Sequence, residues 1–367
     1  MGINRRVESL IRPEIQALSA YKTVDPGKCI KLDAMENPYS WPESMIDKWL
    51  EKVRSVEVNR YPDPAAVALK KALYTYQDIP ESKGLLLGNG SDEIIQIILM
   101  AIAGPDAVVL APEPTFVMYR QIAVSLGLKF QGVPLNPSDF SLDFKAICES
   151  IEAEQPAVVF LAYPNNPTGN LFDEAEIKEI LRLAPGLVVL DEAYAPFTDA
   201  SFMNCARFDE NLLVMRTVSK LGLAGLRLGY LVGDERWIEQ FEKVRLPYNI
   251  NTLTQLSAEF ALENRVVFDE QTAKIRQDRV ELFAELERIK GVKPMPSEAN
   301  FILFRVEGQL VDSSAIHSEL KKMGVLVKNL HGAMPLLDRC LRVTVGSPEE
   351  NEAFISALKK ILDKSIQ

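Results

Sequence analysis

The chain has 367 residues, of which 47% are hydrophobic and 25% are charged, and its formal net charge is -10. This composition is that of an ordinary globular protein with about two domains of roughly 150 residues each. The acidic charge argues against a general binder of nucleic acid or of an anionic membrane, although a local basic pocket for a small phosphate is compatible with it. We therefore expect small-molecule partners.

Cysteines and histidines restrict the chemistry further. The four cysteines are far apart and form no CxxC pair, which indicates neither a metal knuckle nor a disulfide framework. The only two histidines, His317 and His331, argue against a Ser-His-Asp triad or a histidine metal cage. The longest apolar run, residues 94–103, is too short to cross a bilayer. We expect a cytoplasmic protein with no metal and no membrane anchor.

A glycine turn that leads into an apolar helix is the first element with a chemical signature. Residues 88–93 read GNGSDE and precede the helix predicted over residues 94–103. Ser91 is a suitable N-cap, and a helix N-terminus offers amides and a positive dipole end to an anion. A capped helix without a ligand is the alternative, because Asp92 and Glu93 would repel an anion unless they point away.

Short apolar runs then alternate with segments that fit helices. The runs cover residues 107–110, 157–161, 187–190 and 212–215, and residues 173–184 fit a helix between two of them. Strands that are apolar at successive positions are typical of a parallel sheet with helices on both faces. We predict this α/β class, in which ligands bind beyond the carboxyl ends of the strands.

Polar residues follow three of these predicted strands. Asn166 follows the second run, Asp191 and Tyr194 follow the third, and Lys220 follows the fourth. Because the carboxyl ends of parallel strands meet at one edge, these side chains are predicted to lie close together.

Lys220 lies among small, hydroxylated and glycine residues. A lysine forms an imine with an aldehyde cofactor only if it loses a proton near neutral pH, which burial and a cationic neighbour such as Arg227 promote. Taken alone, the segment also fits a solvated lysine in a loop. Further along the chain, residues 253–289 predict one long helix, and residues 300–304 and 341–345 predict strands.

These segments together supply what pyridoxal phosphate requires: an imine-forming lysine, a carboxylate for the pyridine nitrogen, donors for the ring oxygen and a phosphate cup. In their order they resemble the fold-type I aminotransferases, and most closely the histidinol-phosphate aminotransferase family. The resemblance runs from about residue 21 to near the C-terminus, and it includes residues 36–39, 59–63 and 340–346.

The resemblance implies an aspartate-aminotransferase-like fold, in which a large domain with a mostly parallel sheet is joined by a smaller α+β domain. We assign residues 1–43 to an N-terminal arm and part of the small domain, residues 44–254 to the large cofactor-binding domain, and residues 255–367 to the small domain.

The resemblance also implies roles for single residues. Lys220 would be the anchor and general acid/base, Asp191 the partner of the pyridine nitrogen, and Tyr194 a donor to the ring oxygen. Further cofactor contacts would come from Ser91, Asp92, Phe116, Asn166, Thr217, Ser219 and Arg227. Tyr61 would reach the cofactor phosphate of a neighbouring subunit, which implies a homodimer.

For the substrate, the resemblance assigns Tyr21, Asn37, Lys328 and Arg342. Many members have an arginine at the position of Lys328, and lysine keeps the charge but loses the guanidinium fork. The loop from Lys220 to Arg227 is one residue shorter than the common form, and we expect Arg227 to reach the phosphate nevertheless.

The implied reaction is amino transfer between L-histidinol phosphate and 2-oxoglutarate, giving imidazole-acetol phosphate and glutamate. The alternatives are an aromatic or broad-range aminotransferase, a threonine-phosphate decarboxylase, and a non-catalytic sensor that binds pyridoxal phosphate. Lys328 together with Arg342 and Tyr21 favours a phosphorylated substrate. The intact Lys220, Asp191 and Asn166 favour turnover over sensing.

Overall fold

The computed structural model describes residues 3–20, 24–104, 106–203, 210–308 and 312–366. The helices are α1 (Ile3–Leu10), α2 (Pro13–Gln16), α3 (Glu43–Val53), α4 (Val67–Tyr76), α5 (Ser91–Ile102), α6 (Met118–Leu126), α7 (Phe144–Glu154), α8 (Glu174–Leu183), α9 (Glu235–Glu242), α10 (Thr252–Glu263), α11 (Arg265–Glu287), α12 (Ser313–Lys322) and α13 (Pro348–Ile366). The strands are β1 (Ile30–Leu32), β2 (Lys83–Gly88), β3 (Val108–Glu113), β4 (Lys129–Pro134), β5 (Val158–Ala162), β6 (Leu187–Asp191), β7 (Leu212–Thr217), β8 (Gly229–Asp234), β9 (Val292–Pro294), β10 (Phe301–Val306), β11 (Val325–Asn329) and β12 (Cys340–Thr344).

The larger sheet has the strand order β2-β8-β7-β6-β5-β3-β4 in the described part of the chain. Strands β7, β6, β5, β3 and β4 are parallel neighbours, and β8 runs antiparallel to both β7 and β2. The four predicted middle strands are β3, β5, β6 and β7, so the prediction of a mostly parallel α/β sheet is confirmed.

Both faces of this sheet are covered, which explains why its strands are apolar at successive positions. In β5, Phe160 packs with side chains of α5 and α6, whereas Val159 and Leu161 pack with side chains of α7 and α8 on the opposite face. Alternate residues of a strand point to opposite faces, so a doubly covered strand needs apolar residues at every position. Each fully buried side chain of this kind stabilises the fold by about 1.5–3 kcal/mol.

The smaller sheet has the order β1-β11-β12-β10-β9. The N-terminal strand β1 joins it beside β11, in parallel, and the remaining neighbours are antiparallel. Residues of α11, α12 and α13 share a separate apolar core with this sheet, which includes Phe301, Phe304 and Phe354. The small sheet therefore combines strands from both ends of the chain.

The single long helix predicted over residues 253–289 is two helices, α10 and α11, that meet at Asn264. The Asn264 side-chain amide donates to the Phe260 carbonyl oxygen at 2.8 Å, a local bond that competes with helix continuation. The predicted boundary at residue 254 falls inside α10. Since this helix packs on α3 and α4, it lies with the larger sheet. No described helix combines the length and the apolar character that crossing a membrane requires.

Candidate active site

The carboxyl ends of β5, β6 and β7 open onto a cavity of about 380 Å³, here called the strand-end cavity. Because these strands are parallel and adjacent, the residues that follow them meet at one rim. The cavity wall contains ten of the residues predicted for the site, namely Ser91, Asp92, Phe116, Asn166, Asp191, Tyr194, Thr217, Ser219, Lys220 and Arg227.

Lys220 lies on a 3₁₀ turn, Ser219–Leu221, directly after β7. Its Nζ donates to the Ala34 carbonyl oxygen at 3.3 Å and lies 5.8 Å from the centre of the Tyr194 ring. Burial lowers the pKa of Lys220 to about 8, and the nearby cations Arg342 and Arg227 act in the same direction. A useful fraction of this amine is therefore neutral and nucleophilic near neutral pH.

Asp191 is the last residue of β6, and its side chain is buried. Oδ2 accepts a hydrogen bond from the Tyr119 hydroxyl at 2.6 Å, and Oδ1 accepts one from the Ala193 amide at 3.1 Å. Burial raises the pKa of Asp191 to about 6, while these two hydrogen bonds oppose the increase. The carboxylate is therefore mainly ionised at neutral pH.

Asn166 connects the rim of the larger sheet to the smaller sheet. Its amide nitrogen donates to the Tyr194 hydroxyl oxygen at 3.1 Å, and its Oδ1 accepts from Arg342 Nη1. Arg342 lies on β12, and its Nη2 donates to the Asp33 carbonyl oxygen at 3.1 Å. Asn166 and Tyr194 thus bring N–H and O–H groups to one wall, next to a buried guanidinium.

The start of α5 contributes Ser91 and Asp92 to the wall of the strand-end cavity, next to Arg227. This part of the wall is here called the cup. Gly90, with φ +80°, is the N-cap, so Ser91 is the first helical residue and not the cap that we predicted. A Cβ on Gly90 would lie 2.6 Å from Arg227 Nη2, and a Cβ on Gly229 would lie 2.8 Å from the Ser91 amide nitrogen. Glycine at both positions therefore lets Arg227 approach the helix N-terminus, which offers its first-turn amides to an anion.

Charges around the cup are compatible with an anion. Glu93 points away, because its Oε2 accepts from the Asn89 amide at 2.6 Å and from Asn249 Nδ2 at 2.7 Å. Asp92 faces Arg227 across 3.6 Å, and both side chains are about half exposed. Pairs of this kind contribute little stability, so a phosphate can compete for Arg227. The hydroxyl oxygens of Thr217 and Ser219, 2.9 Å apart, complete this end.

A second and larger cavity, about 560 Å³, adjoins the first one and is here called the outer chamber. The two cavities share Met35, Phe116 and Asn166 in their walls. Lys328 and Arg342 line the outer chamber and are direct partners across β11 and β12, so two cations face the same space. Much of the remaining wall is apolar and consists of Val117, Phe130, Leu330, Met334 and Leu337.

Two predicted site residues lie elsewhere, and a third is outside the described residues. Asn37 lines neither cavity, since its amide donates to the Leu221 carbonyl oxygen and to Gln271. Tyr61 is 81% exposed on the surface and stacks on Tyr248, with ring centres 4.5 Å apart. Tyr21 is outside the described residues, although its neighbours Ser19 and Ala20 line the outer chamber.

Tyr119 is a residue of the site that sequence reasoning missed. It lies three positions after Phe116, which precedes the first residue of α6 by two positions, and its amide donates to the Phe116 carbonyl oxygen at 3.2 Å. The ring of Phe116 meets the ring of Tyr119 edge-on, with centres 5.6 Å apart. The spacing of three residues from Phe116 could have indicated that Tyr119 lies near the site. A tyrosine in a helix is nevertheless an ordinary core residue unless its hydrogen-bond partner, here Asp191, is known.

The strand-end cavity fits pyridoxal phosphate. Among the described residues no lysine, arginine or histidine pairs with the buried Asp191 carboxylate, so a cationic ring nitrogen would supply the missing partner. The glycine-lined cup with Arg227 would hold the phosphate, and Lys220 lies in the wall between these two ends. The donor set therefore has a place for each polar group of the cofactor.

Comparison with known families matches residues 27–358 to the family described as aminotransferase class I and II. The fold is similar to that of histidinol-phosphate aminotransferase from Sinorhizobium meliloti in complex with pyridoxal-5'-phosphate, with a TM-score of 0.85, 23% identity, and 97% of this chain and 98% of that chain covered. This likeness shows a common fold.

Sequence relatives carry the family assignment. The chain is 56% identical over 354 residues to histidinol-phosphate aminotransferase 2 of Nitrosococcus oceani, covering 96% of this chain and 98% of the relative. It is 49% identical over 354 residues to the histidinol-phosphate aminotransferase of Chromobacterium violaceum, with the same coverage. The chain therefore belongs to the aminotransferase class I and II family, among its histidinol-phosphate aminotransferases.

Proposed function

We propose that this chain is a pyridoxal-phosphate-dependent aminotransferase of histidine biosynthesis, which moves an amino group between L-histidinol phosphate and 2-oxoglutarate to give imidazole-acetol phosphate and glutamate. The observation that carries the proposal is that two adjoining cavities share part of their walls, Met35, Phe116 and Asn166. One is lined by Lys220 and Asp191, and the other presents Lys328 beside Arg342. The names of the relatives support the same reaction.

Lys220 performs the proton transfers. Pyridoxal phosphate, when bound, supplies an aldehyde that holds the migrating amino group and a ring that accepts electrons from the substrate C–H bond. The Nζ of Lys220 would hold this aldehyde and, when free, would move a proton between the substrate carbon and the cofactor carbon that carries the aldehyde. The lowered pKa of Lys220, about 8, suits a group that must both accept and release a proton near neutral pH.

Asp191, Tyr194 and Asn166 hold the ring. The Asp191 carboxylate keeps the ring nitrogen protonated, because an ionised partner favours the cationic form. Tyr194 and Asn166, joined by their 3.1 Å hydrogen bond, offer donors to the ring oxygen. Phe116, in the cavity wall, provides an aromatic face against the ring.

Lys328 and Arg342 select the substrate. Arg342 is 6% exposed and presents a planar fork that fits either a carboxylate or a phosphate. Lys328, its partner across the strands, adds a second positive charge without a fork. A dianionic phosphate can form ion pairs with both cations, whereas a carboxylate, with a single charge, needs only one. The pair of Lys328 and Arg342 therefore supports a phosphorylated substrate.

Two measurements test the function. Borohydride reduction of the loaded enzyme, followed by peptide mass spectrometry, should place the cofactor on Lys220, and fixation elsewhere would refute the cofactor assignment. Specificity constants for L-histidinol phosphate and phenylalanine, each with 2-oxoglutarate, should favour the phosphorylated substrate.

One second candidate has support from the outer chamber. Its volume, about 560 Å³, and its apolar wall also suit aromatic amino acids, so an aromatic or broad-range aminotransferase remains the alternative. A preference for phenylalanine in the comparison of specificity constants would establish this alternative.

We also infer a homodimer in which Tyr61 reaches the neighbouring cofactor phosphate. Tyr61 is exposed and stacks on Tyr248, and Leu246 of the same segment as Tyr248 is exposed as well. Exposed apolar side chains of this kind suit contact with a second copy of this chain. Tyr61→Ala and Lys220→Ala proteins should each lose activity, and mixed dimers of the two should regain it. Mixed dimers without activity would contradict the shared site.

The remaining assignments stay proposals. The small domain, residues 255–367 with the arm at residues 1–43, would close over the substrate held by the large domain, residues 44–254. A cytoplasmic location is inferred from the wide cysteine spacing alone. Tyr21 and Asn37 are kept as substrate residues only through the family resemblance.

A further inference from the structure

Tyr119 lies next to the proposed cofactor site, and none of the roles above uses it. Its side chain is completely buried, and its hydroxyl donates to Asp191 Oδ2 at 2.6 Å. We propose that Tyr119 is a positioning residue that keeps Asp191 ionised and directed toward the ring nitrogen of the cofactor. This role rests on the proposed function, because it needs a cofactor with a cationic ring nitrogen.

The direction of the Tyr119 hydroxyl is set by two other rings. The Tyr119 ring stacks on Phe160 of β5, with centres 4.7 Å apart and planes 12° apart, and it meets Phe116 edge-on. Since β5 and β6 are neighbouring parallel strands, a ring held on β5 delivers its hydroxyl to the end of β6. The hydrogen bond is therefore preorganised by the sheet and needs no bound ligand to form.

The surroundings of Asp191 make this bond necessary. Burial disfavours the ionised carboxylate, and two further carboxylates, Asp92 and Glu192, act in the same direction by charge repulsion. Opposing them are the Tyr119 hydroxyl, which is the larger contribution, and the Ala193 amide. Tyr194 and Asp92 are further titratable groups that act on Tyr119.

An ordinary buried tyrosine would have the same ring contacts, so the hydroxyl must be tested separately from the ring. Tyr119→Phe removes only the hydroxyl and keeps the stacking. Tyr74→Phe is the matched control, because it also removes only a hydroxyl, one that donates to the Lys83 carbonyl oxygen at 2.5 Å and lines neither cavity. Both variants should be compared with the unaltered chain as full-length apoprotein.

The probe is pyridoxamine phosphate, which has the ring nitrogen and the phosphate but forms no bond with Lys220. Its affinity should be measured by calorimetry between about pH 5 and 9. Affinity falls as pH decreases through the pKa of Asp191, about 6 in the unaltered protein, since a proton must then be displaced to form the ion pair. Phosphate titration is common to all the proteins and cancels in the comparison.

In Tyr119→Phe the midpoint should move upward by about one pH unit, because a hydrogen bond to a charged acceptor has been lost. Tyr74→Phe should lower the melting temperature of the apoprotein without moving the midpoint, because its hydroxyl bonds to the Lys83 carbonyl oxygen and not to Asp191. Equal midpoints in the unaltered protein and Tyr119→Phe would overturn the proposal. Absence of binding by the unaltered protein at every pH would instead overturn the proposed function itself.

A second variant covers the case in which Tyr119→Phe fails to fold. Replacement Tyr119→3-fluorotyrosine makes the hydroxyl a stronger donor with almost no change in volume. The midpoint should then move to lower pH, and a midpoint that stays in place or rises would refute the role of Tyr119.

Discussion

The strand-end cavity and the outer chamber share three wall residues but are built in different ways. Most of the wall of the first consists of residues that end or follow strands of the larger sheet, and its polar groups are fixed by hydrogen bonds such as that between Tyr119 and Asp191. The second is larger and more apolar, and two of the cations in its wall, Lys328 and Arg342, come from the smaller sheet. In the proposed function, the chemistry depends on the rim of the larger sheet, whereas substrate selectivity depends on how surfaces from the two sheets face each other.

The largest expected effect lies in the strand-end cavity. Lys220→Ala should reduce turnover by about 10⁴-fold or more, because both the anchor and the general acid/base are lost. Initial rates of glutamate formation from L-histidinol phosphate and 2-oxoglutarate measure the effect. Lys243→Ala, which removes an exposed lysine that lies just after α9 and donates to Gln240 Oε1 at 2.6 Å, is the control and should keep normal activity. If turnover fell only slightly in Lys220→Ala, the catalytic chemistry could not be assigned to the strand-end cavity.

Arg342 is the residue that joins the two regions, so its removal should affect both. Arg342→Gln should lower kcat/KM for L-histidinol phosphate about 100-fold, since a buried charge-assisted contact with the substrate anion is lost. It also removes a partner of Asn166. Steady-state kinetics with both substrates should show a lower kcat/KM for glutamate as well. An effect confined to one substrate would contradict the prediction that Arg342 binds the anionic groups of both.

Lys328 should affect the outer chamber alone. Lys328→Met should lower kcat/KM for the phosphorylated substrate about tenfold and that for glutamate less, because only the dianion uses both cations. Lys328→Arg restores the fork and should increase selectivity for the phosphorylated substrate. Equal losses for both substrates in Lys328→Met would count against its proposed contact with phosphate.

The pH dependence of cofactor loading distinguishes the two cations. The rate at which apoprotein captures pyridoxal phosphate should increase about fivefold from pH 7 to pH 8, because the neutral amine of Lys220, with a pKa of about 8, is the nucleophile. Arg342→Gln should move the midpoint upward, since the Arg342 charge lowers the pKa of Lys220. Lys328→Met should leave it in place. Absorbance stopped-flow measures the rate, and the same midpoint in all three proteins would show that the regions are not electrostatically coupled.

The smallest effect concerns the cup. Gly90→Ala places a Cβ 2.6 Å from Arg227 Nη2 at a positive φ, which should weaken cofactor affinity about fivefold and destabilise the fold by about 1 kcal/mol. Fluorescence titration and thermal melting measure these changes. Gly104→Ala, with nothing within 4 Å of the added Cβ, should change neither. Normal affinity in Gly90→Ala would place the phosphate elsewhere.

Much of the larger sheet could be predicted because its signals are local. The run at residues 187–190 is apolar at every position, and it is strand β6, buried on both faces. Asp191 follows it directly, so its place at the rim also follows from chain order. The break at Asn264 was missed, because the flanking segments have the same helical pattern and only the local bond to Phe260 ends the first helix.

Residues that depend on distant partners were harder to predict. Asn37 lies in a motif shared with the family, yet its amide bonds to Gln271 on α11, more than 200 positions away. Tyr119 has the composition of a core residue, and only its distance to Asp191 indicates a role. No pattern within a window of neighbouring residues encodes such contacts.

The sequence by itself determined the α/β class, the strand-end residues and the presence of a lysine, an aspartate and an anion cup in one order along the chain. These features depend on local periodicity and on the rule that parallel strands end at one edge. Only the tertiary structure decided that Lys328 and Arg342 are cross-strand partners, that Asn166 joins Arg342 to Tyr194, and that Tyr119 contacts Asp191. The physical reason is that hydrogen bonds and charge effects depend on distance in space, and burial, which sets the pKa of Lys220 and Asp191, exists only after the two sheets have packed.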